Sequence, residues 1–180
     1  MSNTNLGFQV SLPTTSTKPV FVINGVLYGV DALIAAWVSE RLGAEMPNVM
    51  YTAFGICAEG TLEGPVSDLS KIFLIAGVYW YNHYTGPDQF DISCAVASET
   101  ELAGRPDVIR KILEYPFGEL KVPRISAEIH ADNDRAIRTA EKLGFKREGV
   151  KRKAGRDGGD TVSLGLLPDE CQIWTRSQAN

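Results

Sequence analysis

The stretch that decides the fold runs from Lys121 to Arg152 and reads KVPRISAEIHADNDRAIRTAEKLGFKREGVKR. Between residues 124 and 131, apolar and polar side chains alternate, which is the period of a β-strand with one buried face. The apolar positions are Ile125, Ala127, Ile129 and Ala131, and the polar ones are Ser126, Glu128 and His130. This pattern predicts a strand with three polar side chains on its second face.

A capped helix is predicted directly after this strand. Asp132 or Asn133 can accept hydrogen bonds from the free N–H groups of a first helical turn, and Asp134 favours the positive end of the helix dipole. Gly144 suits the left-handed backbone conformation that is common just past the last turn of a helix. Phe145 then supplies the apolar contact of a Schellman motif. Another strand is predicted to begin after this stop. Within the helix, apolar residues recur at three and four positions, at Ala136, Ile137, Ala140 and Leu143.

Three motifs in this stretch resemble the C-terminal half of the GNAT N-acyltransferase superfamily. They are EIHADN at residues 128–133, EKLGF at residues 141–145, and the trio Glu148, Gly149 and Arg152. The chain is most similar to the branch that acetylates the N-termini of ribosomal proteins, and the resemblance covers roughly the last hundred residues. It implies an α/β (α+β) fold with a central, mixed, mostly antiparallel twisted sheet flanked by helices. It also implies two neighbouring central strands that splay apart, one ending near Ala97 and the other running through Glu128.

The rest of the chain is predicted to complete this sheet. A hairpin at residues 20–28 is indicated by its Asn-Gly turn. A helix follows, capped by Asp31 and stopped by Gly43, with an apolar stripe that includes Leu42. A later helix begins at Pro106 and is expected to kink or end near its second proline, because proline removes a donor. Further strands are predicted at residues 51–58, 71–83, 90–97 and 161–167.

Length and composition are those of one soluble globular domain. The chain has 180 residues, of which 44% are hydrophobic. Residues 1–19 are predicted to be an extended lead-in, and residues 20–180 a single GNAT-like acyltransferase domain. No apolar run approaches the roughly 18 residues of a membrane span, and the N-terminus lacks the pattern of a signal peptide. We therefore expect a cytoplasmic protein without a membrane partner.

The cysteines and histidines predict neither disulfides nor a metal site. Cys57, Cys94 and Cys171 are odd in number and far apart, and each lies beside apolar residues. Reduced, structural thiols are the favoured interpretation. Two histidines in no chelating pattern argue against zinc.

Basic charge is concentrated in the second half of the chain. Residues 1–100 contain 3 basic and 9 acidic side chains, whereas residues 101–180 contain 15 and 13. Within residues 142–156 there are seven basic side chains and one acidic one. One interpretation is a solvated strand and turn; the other is a patch for a polyanion, either the phosphates of a cofactor or nucleic acid. The net charge of −4 disfavours nucleic acid.

The resemblance places an acyl-CoA site on the strand, loop and helix of residues 90–115. A helix N-terminus presents unpaired N–H groups and a positive dipole end to a pyrophosphate. The family loop reads Gln or Arg, two residues, Gly, one residue, then Gly or Ala, and these positions fall here on Ser98, Glu101 and Ala103. Only Ala103 fits, and Gly104 and Arg105 are candidates to compensate. The departure leaves open weak acetyl-CoA binding, a different acyl donor or a lost activity.

Three further residues are candidates for holding the acyl carrier. By resemblance, the Val96-Ala97 end of the strand pairs with the pantetheine arm like an added strand. The resemblance also implies that the Asn133 side chain contacts this arm. Asn133 can make this contact and also cap the helix. The implied cofactor is acetyl-CoA or another acyl-CoA.

Glu128 is the candidate general base, because it matches a catalytic glutamate in some N-terminal acetyltransferases of the family. A carboxylate there takes a proton from the acceptor ammonium, through water, and frees the amine to attack the thioester. The alternative is a solvent-facing residue on an alternating strand. His130, on the same face, is the second candidate base. The tyrosine that some relatives use as general acid is Ala140 here, and Cys94 need not be a nucleophile, since the family forms no covalent acyl-enzyme.

These features predict an N-acyltransferase that transfers an acetyl group from acetyl-CoA to a primary amine of a small molecule or peptide. The oligomeric state of the protein stays open, with a homodimer as one candidate. Two other functions stay open. One is a GNAT-like enzyme that modifies a nucleic-acid base, motivated by the basic run and an aromatic cluster. The other is a non-catalytic GNAT-fold binding protein, motivated by the degraded phosphate loop. The aromatic cluster is a candidate lining of an acceptor pocket, with core packing as the alternative, and comprises Tyr79, Trp80, Tyr81, His83 and Tyr84.

Overall fold

The computed structural model describes residues 19–47, 49–61, 63–86, 89–99 and 105–178. The strands are β1 (Phe21–Ile23), β2 (Val26–Tyr28), β3 (Tyr51–Cys57), β4 (Gly64–Pro65), β5 (Leu74–Gly86), β6 (Gln89–Ser98), β7 (Ile125–His130), β8 (Lys146–Lys151) and β9 (Thr161–Leu166). The helices are α1 (Asp31–Leu42), α2 (Pro106–Leu113), α3 (Asp134–Leu143) and α4 (Gln172–Gln178). Within this part of the chain, no helix has the length and apolar character needed to cross a membrane.

The strands form one mixed, mostly antiparallel sheet in the order β4-β1-β2-β3-β5-β6-β7-β9-β8. Its first hairpin has the predicted turn at Asn24 and Gly25, whose positive φ values of 51° and 72° suit a two-residue connection. β4 extends this edge by pairing with β1. The predicted α/β fold class, a central mixed sheet flanked by helices, is therefore confirmed.

α1 ends at Gly43 as predicted, but its cap residue and one position of its apolar stripe differ from the prediction. Val30, rather than Asp31, is its N-cap residue. The Asp31 carboxylate instead accepts a hydrogen bond from the Ala53 N–H of β3 at 3.0 Å, so it ties the helix to the sheet. Leu42, predicted to be buried, is 45% exposed and lies in the last turn beside the left-handed Gly43. The buried positions of the predicted stripe are Ile34 and Val38.

β5 and β6 form a long hairpin whose start differs from the prediction. β5 begins at Leu74 rather than Lys71, because Lys71 belongs to a single 3₁₀ turn that Asp68 caps. Pairing between β5 and β6 continues to Gly86, past residue 83 where the strand was predicted to end. Residues 87–88, between the two strands, lie outside the described residues.

α2 begins at Pro106 as predicted, with Asp107 in its first turn. After Leu113 the chain continues as a π-helical turn, Glu114–Glu119, that contains the buried Pro116. Since proline has no N–H and crowds the preceding turn, α-helical hydrogen bonding ends here. The buried residues of α2 and the π-helical turn include Val108, Ile109, Ile112, Leu113 and Phe117.

Hydrophobic clusters cover both faces of the sheet. Val78 and Trp80 of β5 belong to the cluster that contains α2, whereas Tyr79 belongs to the cluster that contains α1. Because successive strand residues point to opposite faces, α1 and α2 lie on opposite sides, which we call the α1 face and the α2 face. Ile125 of β7 packs on the α2 face. The polar alternate residues of β7 therefore lie on the α1 face.

α3 has the predicted cap and stop. The Asn133 Oδ1 atom accepts a hydrogen bond from the Ala136 N–H at 3.1 Å. Gly144 is left-handed at φ 109°, and the Phe145 N–H donates to the Ala140 carbonyl oxygen, as a Schellman motif requires. β8 and β9 then pair antiparallel, and the two strands predicted after the helix are confirmed.

The parallel strands β6 and β7 diverge. They pair only as Ile92 with Ile125 and Ser93 with Ser126. Past these pairs, β6 stays paired with β5 up to Ser98, and β7 stays paired with β9. The predicted splay of two central strands is present.

Gly144→Ala is expected to destabilise the fold more than Gly43→Ala, although both glycines end helices. A β-carbon at Gly144 would lie 3.1 Å from the carbonyl carbon of Glu170, whereas at Gly43, where φ is 61°, nothing lies within 4 Å. We expect the free energy of unfolding to fall by about 1 kcal/mol for Gly43→Ala and by about 2–3 kcal/mol for Gly144→Ala. Urea denaturation measures both, and equal losses would show that the close contact does not matter.

Candidate active site

The divergence of β6 and β7 leaves one edge of β6 without a partner strand. Residues 94–98 pair with β5 on one side and not with β7 on the other. Such an edge offers backbone N–H and C=O groups to an extended ligand. Val96 and Ala97, both predicted to hold an acyl carrier, lie on it. Ala97 is buried and Val96 packs against the core, so these residues offer their main chain rather than their side chains.

Part of the predicted phosphate loop can be described. The Ser98 hydroxyl donates to the Ile75 carbonyl oxygen at 3.1 Å, which holds the end of β6 against β5. Ala103 and Gly104, together with Glu101, lie outside the described residues. The sequence-based assignment of these loop positions therefore stays a prediction.

Arg105 is the N-cap residue of α2 and stands at the positive end of the helix. Its guanidinium donates to the Asp107 carboxylate at 2.9 and 3.1 Å and lies 3.5 Å from Glu59. The hydrogen bond from Arg105 and that from the Val108 N–H lower the pKa of Asp107. An anion bound at this helix terminus must therefore compete with the Asp107 carboxylate for the same donors.

A cavity of about 200 Å³ lies beside the start of α2. Its lining is mixed in charge: Arg105 and Lys111 face it together with Glu59, Glu63 and Asp107. This balance does not select an anion over a cation.

Asn133 serves as the cap of α3, a role that stabilises a helix by about 1 kcal/mol. The cap uses only the side-chain oxygen. The amide nitrogen of Asn133 is therefore available for the second role that the sequence predicts, contact with an acyl carrier.

Glu128 lies on the α1 face, two residues beyond the last β6–β7 pair. Its carboxylate is 2.6 Å from Lys151 Nζ and accepts hydrogen bonds from the Ser163 hydroxyl at 2.9 and 3.0 Å. The Thr161 hydroxyl is 3.3 Å away. The side chain is 36% exposed. Groups on β8 and β9 thus orient the carboxylate at the margin of the opening, where water has access.

His130 has both ring nitrogens engaged. Nδ1 accepts a hydrogen bond from the Asp132 N–H at 3.3 Å, and Nε2 lies 3.1 Å from Asp157 Oδ1. The Gly159 N–H and the His130 ring lower the pKa of Asp157. A neutral ring held in this way donates through Nε2 and has no free lone pair. The geometry therefore favours Glu128 over His130 as a proton acceptor.

Three tyrosines form a row on the α1 face, the face that carries Glu128. Ring centroids are 4.6 Å apart for Tyr51 and Tyr79, and 5.5 Å apart for Tyr79 and Tyr81. Burial raises the pKa of Tyr81, and the nearby Cys94 thiol and Glu128 carboxylate raise it further. The Tyr81 hydroxyl therefore keeps its proton at neutral pH.

The structure divides the predicted aromatic cluster between the two faces. Trp80 is 1% exposed and packs in the core on the α2 face, so core packing is the correct interpretation for it. Tyr79 is equally buried, but Tyr81 is only half-buried and lies near Glu128. The side chain of Tyr84 lies outside the described residues. Alternation along the strand identified the cluster, but only the sheet register shows which member faces the opening.

Two loops meet above the tyrosine row. The Tyr79 hydroxyl donates to the Pro47 carbonyl oxygen at 2.5 Å, and Arg156 donates to the Glu45 carbonyl oxygen at 2.9 Å. Glu45 and Pro47 follow α1, whereas Arg156 belongs to the loop between β8 and β9. These contacts place the loop after α1 beside the tyrosine row and join it to the loop between β8 and β9.

Four of the seven basic side chains in the run at residues 142–156 form ion pairs. β8, which carries three of the seven basic side chains, is exposed at all six positions. Paired charges exert a weaker field on a polyanion, so the solvated strand and turn is the better interpretation. The ion pairs are Lys146 with Glu170, Arg147 with Glu141, Lys151 with Glu128, and Arg156 with Glu45.

The three cysteines are free thiols, as predicted. Burial raises the pKa of Cys94 to about 12 and that of Cys57 to about 11. Both thiols stay protonated at neutral pH, so neither is an activated nucleophile. In the described ranges, no group of three or more His, Cys, Asp or Glu side chains could hold a metal ion.

The fold and this site define the chain as an α/β protein with an open strand edge at residues 94–98. A family model described as "Acetyltransferase (GNAT) domain" matches residues 32–146. The chain belongs to the GNAT acetyltransferase family.

Two relatives from Bacillus subtilis (strain 168) align with parts of the chain. The "Probable N-acetyltransferase YjcK" is 40% identical over 70 residues, which are 37% of this chain and 39% of that protein. The "Uncharacterized N-acetyltransferase YoaA" is 40% identical over 47 residues, which are 26% of this chain and 27% of that protein. The chain thus matches well under half the length of either relative.

Solved structures share the fold at low sequence identity. RimJ from Mycobacterium smegmatis, in complex with CoA-disulfide, has a TM-score of 0.59 at 15% identity, covering 90% of this chain and 92% of that one. The spermidine/spermine N-acetyltransferase SpeG from Vibrio cholerae has a TM-score of 0.53 at 15% identity, covering 84% and 83%. A putative acetyltransferase from T. thermophilus has a TM-score of 0.52 at 21% identity, covering 88% and 79%.

Proposed function

We propose that this protein transfers an acetyl group, or another acyl group, from its CoA thioester to a primary amine by direct attack. The observation that carries the proposal is the opening between β6 and β7, with an unpaired edge at residues 94–98 and Glu128 at its margin. Membership of the GNAT family and the N-acetyltransferase names of the relatives support it. We further propose that residues 20–180 act as one domain in the cytoplasm.

The residues around the opening fit an acyl-CoA. The β6 edge suits the amides of a pantetheine arm, because an extended chain with N–H and C=O groups can pair with an unpaired strand. Arg105 and the start of α2 suit a pyrophosphate, although Asp107 weakens the positive field there. The Asn133 amide, at the start of α3, is the proposed side-chain contact for the arm. Acetyl-CoA, when bound, supplies a thioester carbonyl that a neutral amine can attack.

Glu128 is the proposed general base. An amine acceptor is an ammonium ion at neutral pH and cannot attack until it loses a proton. The exposed margin of the Glu128 carboxylate can take that proton through a water molecule, while Ser163 and Lys151 hold its orientation. As the nitrogen–carbon bond forms, the nitrogen becomes positively charged and releases its second proton to water. As the carbon–sulfur bond breaks, the departing sulfur takes a proton from the Tyr81 hydroxyl, the proposed donor on the same face, and water returns a proton to Tyr81.

The proposed acceptor is a small-molecule or peptide amine. The motifs of residues 128–152 favour a peptide N-terminus, since they resemble the branch that acetylates ribosomal proteins. Tyr51 and Tyr81, the accessible members of the tyrosine row, support this choice, because aromatic rings suit the apolar part of an acceptor and the face of an ammonium group.

Glu128→Gln is expected to lower kcat by about a hundredfold or more, because general-base catalysis typically contributes 10²–10⁴-fold. Steady-state turnover of acetyl-CoA with a peptide or small-molecule amine measures the effect. Lys151→Gln is the matched control, since it removes the same ion pair but leaves the carboxylate in place. If Glu128→Gln keeps kcat within about twofold of the wild-type value, Glu128 is not the base.

Asp107→Asn is expected to tighten acetyl-CoA binding by about three- to tenfold, because it removes a negative charge from the α2 terminus and releases Arg105. Calorimetric titration at low and high salt measures the change, which should shrink as salt screens the charges. Asp169→Asn, at an exposed position in the turn before α4, is the charge-matched control. Weaker binding by the Asp107 variant would indicate that pyrophosphate does not bind at this terminus.

A further inference from the structure

A polar network lies at the point where β6 and β7 separate. The Ser126 hydroxyl donates to Asp91 Oδ2 at 2.6 Å, and Arg124 donates to Ser126 Oγ at 3.0 Å. Arg124 also donates two hydrogen bonds to the Glu148 carboxylate, at 3.0 and 2.8 Å, and lies 3.5 Å from Asp91. The network therefore connects β6, the start of β7 and β8.

The link between Arg124 and Glu148 passes over β9 at Gly165. β9 lies between β7 and β8, and Gly165 pairs with Ser126 on one side and with Lys146 on the other. A β-carbon at Gly165 would lie 2.8 Å from Arg124 Nη2 and 2.8 Å from the Glu148 carboxyl carbon. A glycine is therefore needed for the two side chains to meet across this strand.

The network occupies the only place where β6 and β7 touch in the described sheet. Ser126 belongs to one of the two pairs, Ser93–Ser126. Asp91 and Arg124 each precede a member of the other pair, Ile92–Ile125, by one residue. Two backbone pairs leave the angle between the strands weakly determined, whereas the hydrogen bond from Ser126 to Asp91 and the ion pair between Arg124 and Asp91 add a side-chain constraint on the α1 face. Glu128 follows Ser126 by two residues on that same face, so a change of this angle moves Glu128 relative to the β6 edge.

We propose that Asp91, Arg124, Ser126 and Glu148 form a clamp that sets the width of the opening between β6 and β7. This inference rests on the proposed function. The clamp residues are positioning residues, because they place Glu128 at a fixed distance from the strand edge that holds the acyl donor. A misplacement of about 1 Å at a reacting group can cost on the order of a hundredfold in rate. The clamp thus matters more for turnover than for acceptor binding.

The test compares Ser126→Ala and Glu148→Gln with Arg147→Gln. Arg147 is the neighbour of Glu148 on β8 and forms an exposed ion pair with Glu141 at 2.7 Å, so its variant removes a similar pair outside the clamp. We expect each clamp variant to lower kcat by about 10- to 100-fold while the acceptor KM changes by less than about threefold. The double variant, Ser126→Ala with Glu148→Gln, should have a kcat about equal to that of the slower single variant, because the residues act as one unit. The Arg147 variant should keep kcat within about twofold.

Amide hydrogen exchange supplies a readout that does not depend on turnover. We expect faster exchange at residues 94–98 and 127–130 in both clamp variants than in Arg147→Gln. If wild-type protein acetylates no amine, the proposed function fails, and the exchange rates alone then decide whether the clamp holds the opening. If wild-type protein is active and the clamp variants match the Arg147 variant in both kcat and exchange, the clamp is overturned.

Discussion

The short contact between β6 and β7 is the constraint on which the rest of the site depends. A longer parallel pairing would use up the N–H and C=O groups of residues 94–98 and leave no edge for a ligand. The strands can separate without collapsing because each is held on its outer side, β6 by β5 and β7 by β9. Helices α1 and α2 cover β5 and β6 from opposite faces, and α3 packs against β9. The opening therefore lies between two strands that are each held by a partner strand on the outer side.

Charged groups near the opening act through orientation more than through stability. Exposed ion pairs such as Lys151–Glu128 and Arg156–Glu45 typically contribute about 0–1 kcal/mol each. Their geometric effect is larger: Lys151 and Ser163 fix one carboxylate at the margin of the gap, and Arg156 joins two loops that are far apart in sequence. Such contacts also explain why a strongly basic segment is consistent with an acyltransferase rather than a nucleic-acid-binding protein.

Local chemistry made parts of this structure predictable from sequence, and long-range register made other parts unpredictable. The cap at Asn133 and the stop at Gly144 follow from residues within one or two turns, so the sequence predicted both. The splay was expected from family resemblance rather than from periodicity. The bond from Asp31 to the β3 backbone, the Glu128–Lys151 pair and the placement of Tyr81 beside Glu128 depend on which strands adjoin. No local pattern contains that information.

The most direct test of the central claim is backbone amide hydrogen exchange measured with and without saturating acetyl-CoA. If the β6 edge receives the donor, exchange at residues 94–98 should slow by about tenfold or more, because ligand carbonyls then accept from these N–H groups. Exchange at residues 146–151, which form the edge strand β8, should not change. Acetyl-CoA that binds without protecting residues 94–98, or that does not bind the folded protein at all, would contradict the claim.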